Sequence, residues 1–166
     1  MSDPEKALLQ RHLTSQRAHV LGILEGLDDE QLRRPVLPSG WSCLGMLRHL
    51  ALSDERYWFR CVMGGEPQDY FPSEPGGDWL VAADEPAADV VAAYREECAR
   101  SDLLIDAMGL DDPPLAPDPV WRKWGTSYPD LRSVLLHVIT ETAVHAGHLD
   151  AVRELIDGRQ WIVLDG

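Results

Sequence analysis

A chain of 166 residues with 45% apolar and 26% charged residues has the composition of one folded domain, residues 1–166, with a real core. Its formal net charge of −13, with no cluster of Lys or Arg, argues against nucleic acid or an anionic membrane surface as a partner. No apolar run is long enough to span a bilayer, and Met1–Lys6 lacks the basic-then-apolar pattern of a secretion signal.

The three cysteines, Cys43, Cys61 and Cys98, form no CxxC pair, so reduced thiols in a cytoplasmic protein are expected. Cys61 and Cys98 fall where helical patterns want small core residues.

Four helical segments follow in chain order. The first begins at Ser2-Asp3-Pro4, a cap with Pro in the first turn. It carries Leu9, Leu13, Val20, Ile23, Leu24 and Leu27 on one side, and Asp28-Asp29, Pro35, Pro38 and Gly40 break it. The second starts after Ser39-Gly40 or Ser42 and runs to about Met63, where Gly64-Gly65 stops it. The third enters at Asp84-Glu85-Pro86 and runs through Val90, Val91, Tyr94, Cys98, Leu104 and Ile105 to Gly109. The fourth follows Thr126-Ser127-Tyr128-Pro129-Asp130 and ends at Gly158. The apolar tail from Gln160 to Leu164 is expected to pack as an extended strap, with a homodimer interface as the alternative.

Residues 64–84 and 109–130 are long, Gly- and Pro-rich connections, a length that often marks a functional lid. Trp79, Trp121, Trp124, Tyr70, Phe71 and Tyr128 lie in or beside them. Anchoring of the loops onto the helices is the first expectation for these aromatics, and ligand stacking the second. The architecture that follows is an all-α four-helix bundle with long crossover loops and a short extended C-terminal tail.

The fourth helix carries the chemistry. His137, Glu141 and His145 are spaced by four and form one column on a helix. Leu131, Val134, Leu135, Val138, Leu149, Val152 and Ile156 mark a buried stripe that, extended, runs through Glu141 and His145. A carboxylate on such a stripe is costly unless paired or bound to a metal. Glu141 and His145 could thus supply two metal ligands, with His49, set among Met46, Leu47, Leu50 and Leu52, as the third. Two His and one carboxylate leave an open position for water or substrate and suit zinc, iron, cobalt or nickel. His137 and His145 are roughly 11 Å apart by helix rise, too far to share one ion directly. His137 could be a fourth ligand or support the ligands from outside, and His148 could line the pocket. Arg153 could face an anionic group, although pairing on the surface with Glu154 or Asp157 is the plainer role. His12 and His19 are read as surface or packing residues. The metal-free alternative has the same Glu and His side chains satisfied by internal hydrogen bonds.

Ser39-Gly40-Trp41-Ser42, then Leu47-Arg48-His49-Leu50 with Glu55 and Tyr57-Trp58, resembles the second helix of DinB-like metal-binding bundles. The run from Leu131 to Gly158 resembles their last helix, and the chain is similar over its whole length to an actinobacterial branch of that family. The resemblance implies a DinB/YfiT-like four-helix bundle, with a divalent metal, zinc first, held between the second and last helices by His49, Glu141 and His145. Many relatives have His where this chain has Glu141. The His/Glu/His set is similar to the thiol-dependent maleylpyruvate isomerases; their extra C-terminal domain is not expected here, so isomerase activity is not carried over. The implied function is a metal-dependent S-transferase joining a low-molecular-weight thiol, such as mycothiol or bacillithiol, to a small-molecule electrophile. The alternatives are a metal-hydroxide hydrolase and a non-catalytic metal- or ligand-binding stress protein.

Overall fold

Side-chain caps set where the helices begin. The computed structural model describes residues 3–161, leaving out the side chain of Arg122. In α1 (Pro4–Leu24) the Asp3 carboxylate accepts the N–H groups of Glu5 and Lys6, with Pro4 in the first turn. A short helix α2 (Asp29–Arg33) opens on a reciprocal capping box between Asp28 and Gln31. The sequence pattern reads this stretch as a break; five residues are too few to show a helical period. Helix α3 (Cys43–His49) is capped by Ser42, whose Oγ accepts the Gly45 N–H. It runs on as a π-wound segment (Leu50–Met63), and the Gly64 N–H closes its end onto the Phe59 carbonyl. A 3₁₀ turn (Gly77–Trp79) sits in the first long loop, before α4 (Ala87–Ala107). A short α5 (Trp121–Trp124) sits in the second, before α6 (Leu131–Asp157). Asp130 and Ser133 form the capping box of α6, and Gly158, at φ 78°, ends it in the left-handed conformation.

Among the described residues there is no strand, and α1, α3 with its π-wound continuation, α4 and α6 form the expected all-α bundle. Helix α1 packs along α6, and the π-wound segment packs against both α4 and α6. Trp161 folds back over Gly22 and stacks on His19 with ring centres 5.1 Å apart, so the start of the tail is a strap at that residue. The rest of the expected strap, Ile162 to Leu164, lies outside the described residues. No helix among the described residues is long and apolar enough to cross a membrane.

The π winding has a consequence for register. Buried residues of the segment recur as pairs every four positions: Leu50-Ala51, Asp54-Glu55, Trp58-Phe59 and Val62-Met63. A turn of 3.6 residues would rotate such a pattern steadily off the core. The wider i→i+5 turn keeps it aligned.

The core has two apolar halves. One gathers Val20, Ile23, Leu44, Leu47, Leu50, Tyr94, Leu149 and Val152, and the other Leu13, Phe59, Val62, Ile105, Leu131, Leu135 and Val138. A polar layer lies between them along each helix: Arg17 on α1, Asp54 and Glu55 on the π-wound segment, Ser101 on α4 and Thr142 on α6 are all buried. The Arg17 guanidinium grips Glu55 through two hydrogen bonds, Nε to Oε1 at 2.7 Å and Nη2 to Oε2 at 2.6 Å, and Nη1 reaches Asp102.

The buried stripe of α6 continues through Thr142 and Ala146, not through Glu141 and His145 as the extended pattern suggests. Thr142 can turn inward because its hydroxyl donates to the Val138 carbonyl one turn back. That small rotation sets Glu141 and His145 at the edge of the core; Glu141 lines the cavity that opens there, and His145 does not.

Because Arg17 and Glu55 are both buried, removing Glu55 leaves the Arg17 guanidinium with only the half-exposed Asp102 as a partner. Glu55→Ala is expected to lower unfolding stability in urea by about 3–5 kcal/mol. A loss under about 1 kcal/mol, the scale of a surface ion pair, would show that the pair does not hold the polar layer together.

Candidate functional site

His49 stands where α3 passes into the π-wound segment. The 3₁₀ turn brings Asp78 and Trp79 against it. Trp79 stacks on the imidazole, with ring centres 4.1 Å apart and planes 17° off parallel. His49 Nδ1 lies 2.6 Å from Asp78 Oδ2, which also accepts the Ser53 hydroxyl at 2.8 Å. A carboxylate oxygen accepts, so the His49 proton sits on Nδ1 and the Nε2 lone pair is left free. Gly45 permits this approach: a Cβ there would lie 2.5 Å from the Trp79 carbonyl oxygen.

The α6 column meets His49 from the other side. The His145 and His49 rings meet edge to face, with centres 5.2 Å apart. His145 Nδ1 is buried without a hydrogen-bond partner, and its Nε2 lies 4.0 Å from Glu141 Oε2, beyond hydrogen-bond reach. Burial, with His49 and His148 nearby, pushes the His145 pKa down to about 4, so the ring is neutral at pH 7. His137, one turn before Glu141, is clasped by Trp58 and by Tyr128, whose hydroxyl lies 3.2 Å from His137 Nδ1. Burial also lowers its pKa, against the opposing pull of Glu141.

The remaining candidates stand apart. His148 is exposed, with its ring centre 5.7 Å from that of His145. Arg153 is buried away from the cavity. Its guanidinium donates to both oxygens of Asp157 and to the carbonyls of Ile23 and Glu25, closing the C-terminal end of α1. Of its expected partners Asp157 is the one observed, but the pairing is not on the surface as expected: Arg153 is buried against the end of α1. His19 bonds Asp150 at 2.9 Å, and His12 is exposed.

His49, Glu141 and His137 line one cavity of about 610 Å³, together with Ser53, Asp54, Tyr57 and Trp58 of the π-wound segment. Its outer wall is Gln68, Phe71, Asp118, Val120, Trp121 and Trp124, from both long loops. Tyr57 donates its hydroxyl to Asp118 Oδ2 at 2.7 Å, and Trp121 stacks on Trp58 at 5.4 Å, which pins the second loop down. The loop aromatics thus anchor the loops, as first expected, and Phe71, Trp121 and Trp124 also line the space. A second cavity of about 610 Å³, lined by Trp41, Trp79 and Arg33, lies beyond the His49–Trp79 stack and contains none of the candidate ligands.

Asp54 is the residue that sequence reading missed most completely. It is 5% exposed, its Oδ2 has no hydrogen-bond partner, and it lines the cavity. Burial, then the neighbouring Glu55 and Glu141 charges, hold its carboxyl well above the usual carboxylate range. A helix of 3.6 residues per turn gives no reason to align Asp54 with His49; the π winding does. Asp78 was equally hidden, since its loop has no period that could announce it.

The donors fit a divalent metal in kind. His49 has the carboxylate-held imidazole typical of a metal ligand, His145 is neutral with an orphaned nitrogen, and Glu141 is beside it. Two imidazoles bound to one tetrahedral zinc at about 2.0–2.1 Å put their ring centres about 5 Å apart, close to the His49–His145 spacing. Among the described residues, no three His, Cys, Asp or Glu side chains converge as a ready-made cage. Glu141, with its side chain 42% exposed, is the member with freedom to move.

A family model described as mycothiol-S-transferase matches residues 8–158, from the first turns of α1 to the end of α6. It agrees with the DinB-like resemblance of the two helices. No curated protein matches the chain.

Asp54 makes a signed prediction. Its folded-state pKa is raised, so its contribution is fully present below the unfolded carboxylate range and is lost as pH rises toward the folded value. Asp54→Asn is expected to have a higher Tm than the native chain at pH 8, with the gap closing toward pH 5. A gap independent of pH would mean that Asp54 is not held as the acid.

Proposed function

The chain belongs to the mycothiol-S-transferase family, and we propose that it joins the sulfur of mycothiol to a small electrophile, with His49, Glu141 and His145 as ligands of a divalent metal, zinc first. The observation that carries the reading is the pairing of His49, clamped through Nδ1 by Asp78, with the neutral, unpartnered His145 at 5.2 Å. When bound there, a divalent cation would favour the thiolate form of the thiol near neutral pH.

The chain's own residues do the rest. Asp78 fixes the tautomer and tilt of His49, so that Nε2 faces the site. Trp79 holds the same ring flat from behind. Trp58, Trp121 and Phe71 keep water from the electrophile and orient it toward the His49–Glu141 end of the cavity. The sulfur then forms a bond to the electrophilic carbon as the leaving group departs on the far side.

The test is metal content by elemental mass spectrometry on untagged protein, beside thiol consumption with reactive electrophiles. Near-stoichiometric metal and mycothiol-dependent turnover are expected, with both lost in His49→Ala and Glu141→Gln. Asp78→Asn is expected to keep the ligands but lose about 10–100-fold in metal affinity or activity. Turnover without thiol would favour a hydrolase, and metal binding without turnover across many electrophiles a non-catalytic binding protein; either result contradicts the reading.

A further inference from the structure

The proposed transferase site leaves the nature of its electrophile open, and the cavity wall narrows it. Three carboxylates line that wall, Asp54, Asp118 and Glu141, and among its described residues none is Lys or Arg. One of the three is committed: Asp118 accepts the Tyr57 hydroxyl and the Val120 N–H. Glu141 lies 4.0 Å from His145 Nε2, without a hydrogen bond to it, and is the residue proposed above for the metal. Asp54 lines the same cavity, is 5% exposed and has a buried Oδ2 with no hydrogen-bond partner. A buried polar oxygen without a partner calls for an explanation.

The aromatic side of the cavity supplies a second, independent indication. Trp124 is 70% exposed and Phe71 41% exposed, so neither ring is consumed by packing, and both lie on the cavity wall. Exposed rings on the same wall as the Asp54 carboxyl, with no Lys or Arg among the described lining residues, make an environment suited to an organic cation. The net charge of −13 adds a long-range field of the same sign, which draws cations and repels anions.

From this arrangement we infer that the electrophile is a flat aromatic molecule bearing an ammonium group, its ring laid against Trp124 and Phe71 and its charge set on Asp54. The inference rests on the transferase reading only for the word electrophile; the binding preference stands on the cavity alone. An anionic substrate, with no Lys or Arg among the described lining residues to meet it, is disfavoured at the same place. An ammonium group would also return Asp54 to its ionised form, since an opposite charge close by favours the carboxylate.

The experiment is a tryptophan-fluorescence titration of the full chain with benzylammonium, benzyl alcohol and benzoate, which share a ring and differ in charge. Trp58, Trp121 and Trp124 line the cavity and report occupancy. The expected order is benzylammonium tightest, the alcohol about tenfold weaker and benzoate weakest. Asp54→Asn should bring benzylammonium down to the level of the alcohol and leave the alcohol unchanged. Trp124→Ala should weaken benzylammonium and the alcohol together. Benzoate binding as tightly as benzylammonium overturns the inference, as does a cation preference that survives in Asp54→Asn. If Asp54→Asn does not fold, the order in the native chain decides. No thiol is present in the titration, so its outcome is separate from that of the transferase reading. A chain that prefers benzylammonium but conjugates no thiol contradicts only the transferase, and one that conjugates thiols but ranks the ligands without regard to charge contradicts only this inference.

Discussion

The buried grip of Arg17 on Glu55 is the constraint on which the rest of the molecule turns. It joins α1 to the π-wound segment across the middle of the core, where neither charge has water to fall back on. A bidentate pair of this kind tolerates little sliding or rotation, so it fixes the facing of the segment that carries Glu55. With Glu55 turned toward Arg17, its neighbour Asp54 is turned toward α6 and the cavity. The apolar halves above and below would accept several registers, since Leu, Val and Phe exchange neighbours at modest cost. The ion pair accepts one.

From that register the site follows. His49 lies at the start of the π-wound segment, and Ser53, Asp54, Tyr57 and Trp58 come round beneath it on the same side. The loop turn with Asp78 and Trp79 then has a fixed imidazole to close upon. Helix α6 contributes through a small rotation: Thr142 and Ala146 take the buried positions, which leaves Glu141 on the cavity wall and His145 beside His49. The polar residues are placed by different forces. His49 is placed by a hydrogen bond and a stack, Asp54 by helix winding, and His145 by exclusion from a core that smaller neighbours fill.

Much of this could be read in the sequence. The start of α1 and both ends of α6 are written in Asp3-Pro4, Asp130 and Gly158, because caps and left-handed stops are local chemistry, whereas α1 stops at Leu24, short of the break expected at Asp28-Asp29. His49 and the Glu141–His145 spacing were visible because a polar residue in an apolar pattern is itself a signal. The π winding was not visible, since nothing local in Leu50–Met63 distinguishes an i→i+4 from an i→i+5 turn; Arg17, which holds Glu55 of this segment, lies 38 residues away. Asp78 depends on a loop whose path is set by contacts with α3, and Arg153 on carbonyls at the end of a helix far earlier in the chain. For Glu141 the stripe was right and the extrapolation was wrong: the pattern cannot show that Thr142, with its hydroxyl satisfied by Val138, is the better residue to bury.

The central claim is that His49, Glu141 and His145 bring a thiol sulfur to the inner end of the aromatic cavity through a bound divalent ion. Cobalt substitution tests it most directly, because a thiolate bound to cobalt(II) adds a sulfur-to-metal charge-transfer band in the near ultraviolet. The account predicts that mycothiol, added to the cobalt-loaded chain, produces this band, and that His145→Ala abolishes it. A cobalt-loaded chain that consumes thiol at full rate while its spectrum stays unchanged would contradict the account.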